Sequence, residues 1–180
     1  MFYKKWDRIS TSVFKQNDYW SYMIDEYIID NSIKGNYHYV HTNGSSMIIP
    51  IFEDGTLLLI EQYRYLNNRI SIEFPCGGVP PQTSYEENAI KELREETGYN
   101  SNNLLYLGEF SPYTGASDEI CKVYSAKQLF IDPLSPDVTE DLCIKKLDID
   151  EVQKMIEENI IWDGLTLAAW ALFQKNLRMK

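Results

Sequence analysis

Between residues 70 and 98 the chain carries a strand, a break and a capped helix in immediate succession, and this order constrains its path more than any other feature. Ile70-Ser71-Ile72-Glu73-Phe74 alternates as a strand does, and it stops at Pro75, which has no N–H to donate. Cys76-Gly77-Gly78-Val79-Pro80-Pro81 follows, and its two glycines and two prolines predict a loop outside regular structure. Ser84-Tyr85-Glu86-Glu87 is a capping box, with Ser84 as N-cap and Glu87 three residues on. The helix is expected to run to about Thr97 and to end at Gly98.

Around this unit the sequence leans towards short strands. Ser12–Phe14, Trp20–Ile24 and Tyr37–Val40 have strand character, and Gln16-Asn17-Asp18 and Lys34-Gly35-Asn36 are the expected turns between them. Met47–Phe52 and Thr56–Glu61 flank Glu53-Asp54-Gly55, a strong hairpin signal. Further strands are predicted at Leu104–Phe110, Ile120–Leu129 and Leu142–Leu147, and helices at Asp150–Asn159 and Leu165–Leu177. Strands and helices mix without strict alternation, so the expected class is α+β. A length of 180 residues suits one domain with a small appendage, here divided as residues 1–42 and 43–180.

The charge narrows the function classes. Seventeen Lys+Arg against 27 Asp+Glu give a net charge of −10, which disfavours binding to nucleic-acid polymers or to anionic membranes. It does not disfavour a small anionic substrate, because a bound cation inverts the local field. Cys76, Cys121 and Cys143 are scattered without CxxC spacing, so free thiols in a reducing compartment are expected. The first residues have no signal-peptide character, and the most apolar stretch, Leu165–Phe173, is too short to cross a bilayer. A cytoplasmic protein is the expectation.

Within Lys91-Glu92-Leu93-Arg94-Glu95-Glu96-Thr97-Gly98-Tyr99, the carboxylates of Glu92, Glu95 and Glu96 fall within about 100° of the helix circumference. Three carboxylates that close repel one another unless a cation lies between them. Hard oxygen ligands of this kind suit Mg²⁺ or Mn²⁺, and a solvated acidic helix face would show the same spacing.

The loop and the helix together resemble the signature of the Nudix hydrolases: Gly, five residues, Glu, seven residues, Arg-Glu-apolar-X-Glu-Glu-X-Gly-apolar. Gly77, Glu92, Leu93, Glu95, Glu96, Gly98 and Tyr99 match it in register, while Thr83 replaces the first Glu and Lys91 the Arg. The resemblance extends to the ADP-ribose pyrophosphatase (ADP-sugar diphosphatase) branch through Glu61-Gln62-Tyr63-Arg64-Tyr65 and through Ser111-Pro112-Tyr113-Thr114-Gly115-Ala116-Ser117-Asp118-Glu119. Asp163 with Thr166-Leu167-Ala168 is similar to that branch as well.

This resemblance implies an α/β/α sandwich with a mixed central sheet and a small N-terminal β subdomain that exchanges across a homodimer. It implies Mg²⁺, or Mn²⁺, held by Glu92, Glu95, Glu96 and the backbone carbonyl of Cys76, and hydrolysis of a nucleoside diphosphate sugar such as ADP-ribose. Glu140 would orient or deprotonate the attacking water, with Asp137 and Asp141 as alternatives in the same loop. Arg64 would contact the diphosphate, Trp6 and Trp20 would sandwich the adenine from two subunits, and Glu119 would touch substrate. Thr83 and Lys91 leave open a weakly catalytic nucleotide sensor, and a hydrolase of another dinucleotide such as NADH is open too. His38 and His41 are expected to be plain strand or turn residues.

Overall fold

The computed structural model describes residues 3–135 and 141–178. Twelve strands and three α-helices are ordered along these residues, with a short 3₁₀ turn at Tyr65–Asn67. Strands β1 (Trp6–Gln16), β2 (Ser21–Ile29) and β3 (Ile33–His41) form an antiparallel sheet of their own. Its second turn lies at Asp30-Asn31, both with positive φ, and not at Lys34-Gly35-Asn36 as the sequence predicts. Two successive left-handed residues give the tight turn that matches strand twist. Gly35 lies inside β3 opposite Tyr27, where a Cβ would meet the Tyr27 hydroxyl at 2.5 Å. That glycine makes room for a ring and does not turn the chain.

The central sheet has the order β7-β4-β10-β9, built from β4 (Ser45–Pro50), β7 (Cys76–Gly78), β9 (Asn103–Phe110) and β10 (Cys121–Lys127). Strands β4 and β10 run parallel and the other pairs antiparallel, so the sheet is mixed as expected. A second sheet has the order β12-β5-β6, from β5 (Leu57–Arg64), β6 (Arg69–Glu73) and β12 (Cys143–Leu147). A two-stranded ribbon joins β8 (Tyr99–Asn100) to β11 (Phe130–Ile131).

Two sequence expectations fail here, each for a physical reason. The Glu53-Asp54-Gly55 turn closes as predicted, with Phe52 N–H bonded to Thr56 O at 2.9 Å. Beyond the single Ile51–Leu57 bridge, however, its two arms part into different sheets. Both arms are apolar on successive residues because each is buried on both faces, so neither has a solvent face to present as a hairpin does. The Cys76–Gly78 segment, expected to be irregular, pairs with Ser45–Met47 as the edge strand β7. Edge positions tolerate glycine and a neighbouring proline, since half of their backbone groups need no ladder partner.

Burial in β4 follows the period of two. Met47 and Ile49 enter a core shared with Leu57, Leu59, Phe74, Val123, Trp170 and Phe173. Ile48 faces the other way, onto Ala89 and Leu93 of α1 (Tyr85–Thr97) and onto Tyr124 and Ala126 of β10. Helix α1 therefore covers one face of the central sheet. Helices α2 (Ile149–Glu157) and α3 (Gly164–Arg178) contribute Val152, Ala169, Trp170 and Phe173 to the core on its other face. The α+β sandwich is the expected one.

Helix α1 begins and ends where the sequence places it. Ser84 Oγ accepts from Glu87 N–H, the Glu87 carboxylate accepts from Ser84 N–H, and Gly98 closes the helix in the left-handed region. Ser84→Ala is expected to cost about 1 kcal/mol of stability in urea denaturation. An unchanged midpoint would show that the cap contributes nothing here.

Candidate active site

The site is assembled where the edge strand β7 meets α1. Asn88, Glu92 and Glu96 recur at every fourth residue and share one stripe of the helix, and all three are buried. Because β7 is an edge strand, Cys76 has no ladder partner on its outer side. Its N–H donates instead to Glu96 Oε2 at 2.9 Å. In antiparallel pairing a residue's N–H and C=O face the same side, so the Cys76 carbonyl belongs to the Glu96 side as well. Gly77 carries no side chain for a steric reason: an added Cβ would lie 2.3 Å from the Glu92 carboxyl carbon.

Lys91 supplies the cation that crowded carboxylates need. Its Nζ lies 2.5 Å from a Glu95 oxygen and 3.4 Å from Glu92 Oε1. Partial burial opposes its charge, but hydrogen bonding to Glu95 and the field of Glu92 outweigh it and raise its pKa. Lys91 thus keeps the charge of the arginine usual at this position. Among the described residues, no three His, Cys, Asp or Glu side chains are already gathered into a metal cage. The donor set nevertheless fits a hard divalent cation, because it consists of carboxylate oxygens, two of them on residues only 7% exposed, beside a backbone edge.

The thiol of Cys76 is not suited to nucleophilic work. A hydrogen bond with Cys121, then burial and the nearby Glu96 and Glu92, hold it well above the usual thiol range. It stays protonated, which agrees with a role for the Cys76 backbone alone.

The remaining expected residues are distributed around this centre. Arg64 turns its guanidinium onto Glu73, with Nε 2.8 Å from Oε1 and Nη2 bonded to Oε2. Glu73 is buried, and its hydrogen bonds raise the pKa of Arg64, with Asp163 and Glu96 adding to the negative surroundings. Glu119 accepts from Ser45 Oγ at 2.7 Å and lines a cavity of about 460 Å³ together with Cys76–Pro81 and the Asp18–Tyr19 turn. Trp20 lies in the adjoining depression, beside His41 and Thr42. Trp6 stands at the far end of β1, its ring 4.6 Å from Tyr27. Trp6 pairs with Ile29, nine residues along the chain from Trp20, so the backbones of the two tryptophans are about 25–30 Å apart and within one chain they cannot sandwich one ring. Glu140, with Asp137, lies outside the described residues.

Asp163 caps α3 by accepting from Thr166 N–H at 2.8 Å. His38 meets the Tyr22 hydroxyl, and His41 pairs with Asp118 at 2.7 Å, which ties β3 to the 113–119 loop. Glu73, Asn88 and the Asp18–Tyr19 turn were not singled out in the sequence. The strand ending Glu73-Phe74-Pro75 offered a signal for the first, Gln16-Asn17-Asp18 marked the last as a turn but not as part of a site, and nothing in the local pattern marked Asn88.

Comparison with known proteins decides the family. The NUDIX domain profile matches residues 42–160. The chain belongs to the Nudix family. Members of this family are pyrophosphohydrolases that generally use divalent metal ions. A relative named ADP-ribose pyrophosphatase, from Bacillus subtilis (strain 168), is 24% identical over 164 residues, 88% of this chain and 89% of its own. The GDP-mannose pyrophosphatase of Yersinia enterocolitica is 31% identical and covers 72% of each chain. The crystal structure of an ADP compounds hydrolase shares the fold, with a TM-score of 0.84 at 22% identity over 97% of this chain and 95% of that one. No helix among the described residues of this Nudix chain is long and apolar enough to cross a membrane.

Since the Glu92 carboxylate occupies the space a Cβ at Gly77 would need, Gly77→Ala is expected to displace it. Turnover of a diphosphate substrate should fall by about 100-fold or more, with the far-ultraviolet circular dichroism retained. Turnover close to that of the parent chain would show that Glu92 does not need its present place.

Proposed function

We propose that this chain hydrolyses the diphosphate of a nucleoside diphosphate sugar, with ADP-ribose giving AMP and ribose 5-phosphate. The observation that carries the proposal is the convergence of two buried carboxylates on one backbone edge: Glu96 on Cys76 N–H and Glu92 against Gly77. Relatives named for ADP-ribose and GDP-mannose support the substrate class. Glu92, Glu95, Glu96 and the Cys76 carbonyl would hold Mg²⁺, with Mn²⁺ as the other suitable ion. Divalent ions bound there neutralise a diphosphate, lower the pKa of a bound water and stabilise the leaving phosphate.

The chain's own residues then have separable tasks. Arg64, fixed in orientation by Glu73, offers its free N–H groups to diphosphate oxygens. Glu119 forms part of the cavity wall beside the Cys76–Pro81 segment and contacts substrate from there. Glu140 takes the proton of the attacking water, with Asp137 and Asp141 as neighbours able to share that task. Trp6 and Trp20 stack on the base from two subunits of a homodimer. The exposed apolar residues of β1, among them Trp6, Ile9, Val13 and Phe14, support that assembly, since a monomer gains nothing from leaving them in water. Sedimentation equilibrium should therefore give twice the chain mass.

The decisive test is incubation with Mg²⁺ and ADP-ribose, ADP-glucose, UDP-glucose and GDP-mannose. Cleavage at the diphosphate is expected, with ADP-ribose preferred. No turnover of any of them by folded protein would overturn the enzymatic reading, and binding of ADP-ribose without product would support the sensor. Glu96→Gln should cut turnover by about 1,000-fold or more while moving the thermal midpoint little. An equal loss of stability would make the acidic stripe structural.

A further inference from the structure

We propose that Asn88 is a positioning residue for the divalent-cation site, locking the carbonyl of Gly77 onto α1 and so setting the separation between β7 and the helix carboxylates. The inference rests on Glu92 and Glu96 being metal carboxylates, as proposed above.

Asn88 is fully buried, one helical turn before Glu92 and two before Glu96. Its Nδ2 donates to Gly77 O at 3.0 Å. Glu92 lies against the α-carbon of the same glycine, and Glu96 accepts from the N–H of the residue before it. Three successive turns of α1 thus grip three neighbouring backbone points of β7. The upper grip is the only one of the three made by a neutral side chain.

That neutrality suits a positioning role. A lysine or arginine at 88 would compete with a cation for Glu92, and a carboxylate could not donate to a carbonyl. The amide orientation is fixed, because turning Oδ1 towards Gly77 O would set two acceptors face to face.

The side chain is also poorly chosen for stability alone. Asn88 Oδ1 is buried and has no hydrogen-bond partner among the described residues. An unpartnered buried acceptor opposes folding and offsets part of what the Nδ2 bond to Gly77 O contributes. What the donor at 88 holds is the backbone of the metal edge.

The test measures Mn²⁺ binding to the whole chain by calorimetry, alongside the thermal midpoint. Asn88→Leu, close in shape and without a donor, is expected to weaken Mn²⁺ binding about 10-fold or more, with the midpoint unchanged or raised. Asn88→Ala, which only removes atoms, should weaken it similarly if leucine overpacks. Either folded variant binding Mn²⁺ as the parent chain does, while Glu96→Gln loses it, would overturn this inference alone. Mn²⁺ binding that survives Glu96→Gln would overturn the metal-site reading and this inference with it.

Discussion

The rest of the site depends on one contact, the approach of the β7 backbone to the acidic stripe of α1. A carboxylate is costly to bury unless something satisfies it, and here the satisfaction comes from an edge strand with unpaired backbone groups. Placing β7 at the sheet edge is therefore a chemical requirement as well as a topological outcome. Were Cys76–Gly78 an interior strand, its outward N–H and C=O would be committed to a neighbour. The helix carboxylates would then face a closed wall.

The contact in turn depends on the layers behind it. Helix α1 is pressed onto the sheet by Ala89 and Leu93 against Ile48, Tyr124 and Ala126, all of them buried. Burial of a side chain such as Leu93 or Ile48 contributes about 1.5–3 kcal/mol and requires no exact alignment of partners. Packing fixes the height of the helix above the sheet, and the polar stripe uses that height. Lys91 and Glu95 complete the arrangement at the more exposed edge, where they form an i,i+4 ion pair.

Much of this was legible in the sequence because it is local. The capping box at Ser84–Glu87, the stop at Gly98 and the spacing of Glu92, Glu95 and Glu96 are settled within a few residues, and the structure has them as read. What was misread depends on distant partners. Strands β4 and β5 look like a hairpin until their separate neighbours, β10 and β12, draw them into different sheets. Gly35 looks like a turn residue until Tyr27 is seen lying over it. Arg64 could be picked as a phosphate ligand by its chemistry, yet its pairing with Glu73 needed the β5–β6 register to bring the two together. Asn88 carried no signal, because its partner is a backbone carbonyl and those are invisible in a sequence.

The Gly77–Glu92 contact has a consequence for how such a chain diverges. The two positions occupy one volume, so neither drifts independently under selection. A side chain gained at 77 is tolerated only alongside a shorter or displaced residue at 92, and a shortened residue at 92 removes the constraint that keeps 77 a glycine. Descendants of this sequence that lose their chemistry should therefore lose the pair together, leaving the sandwich intact and its edge closed.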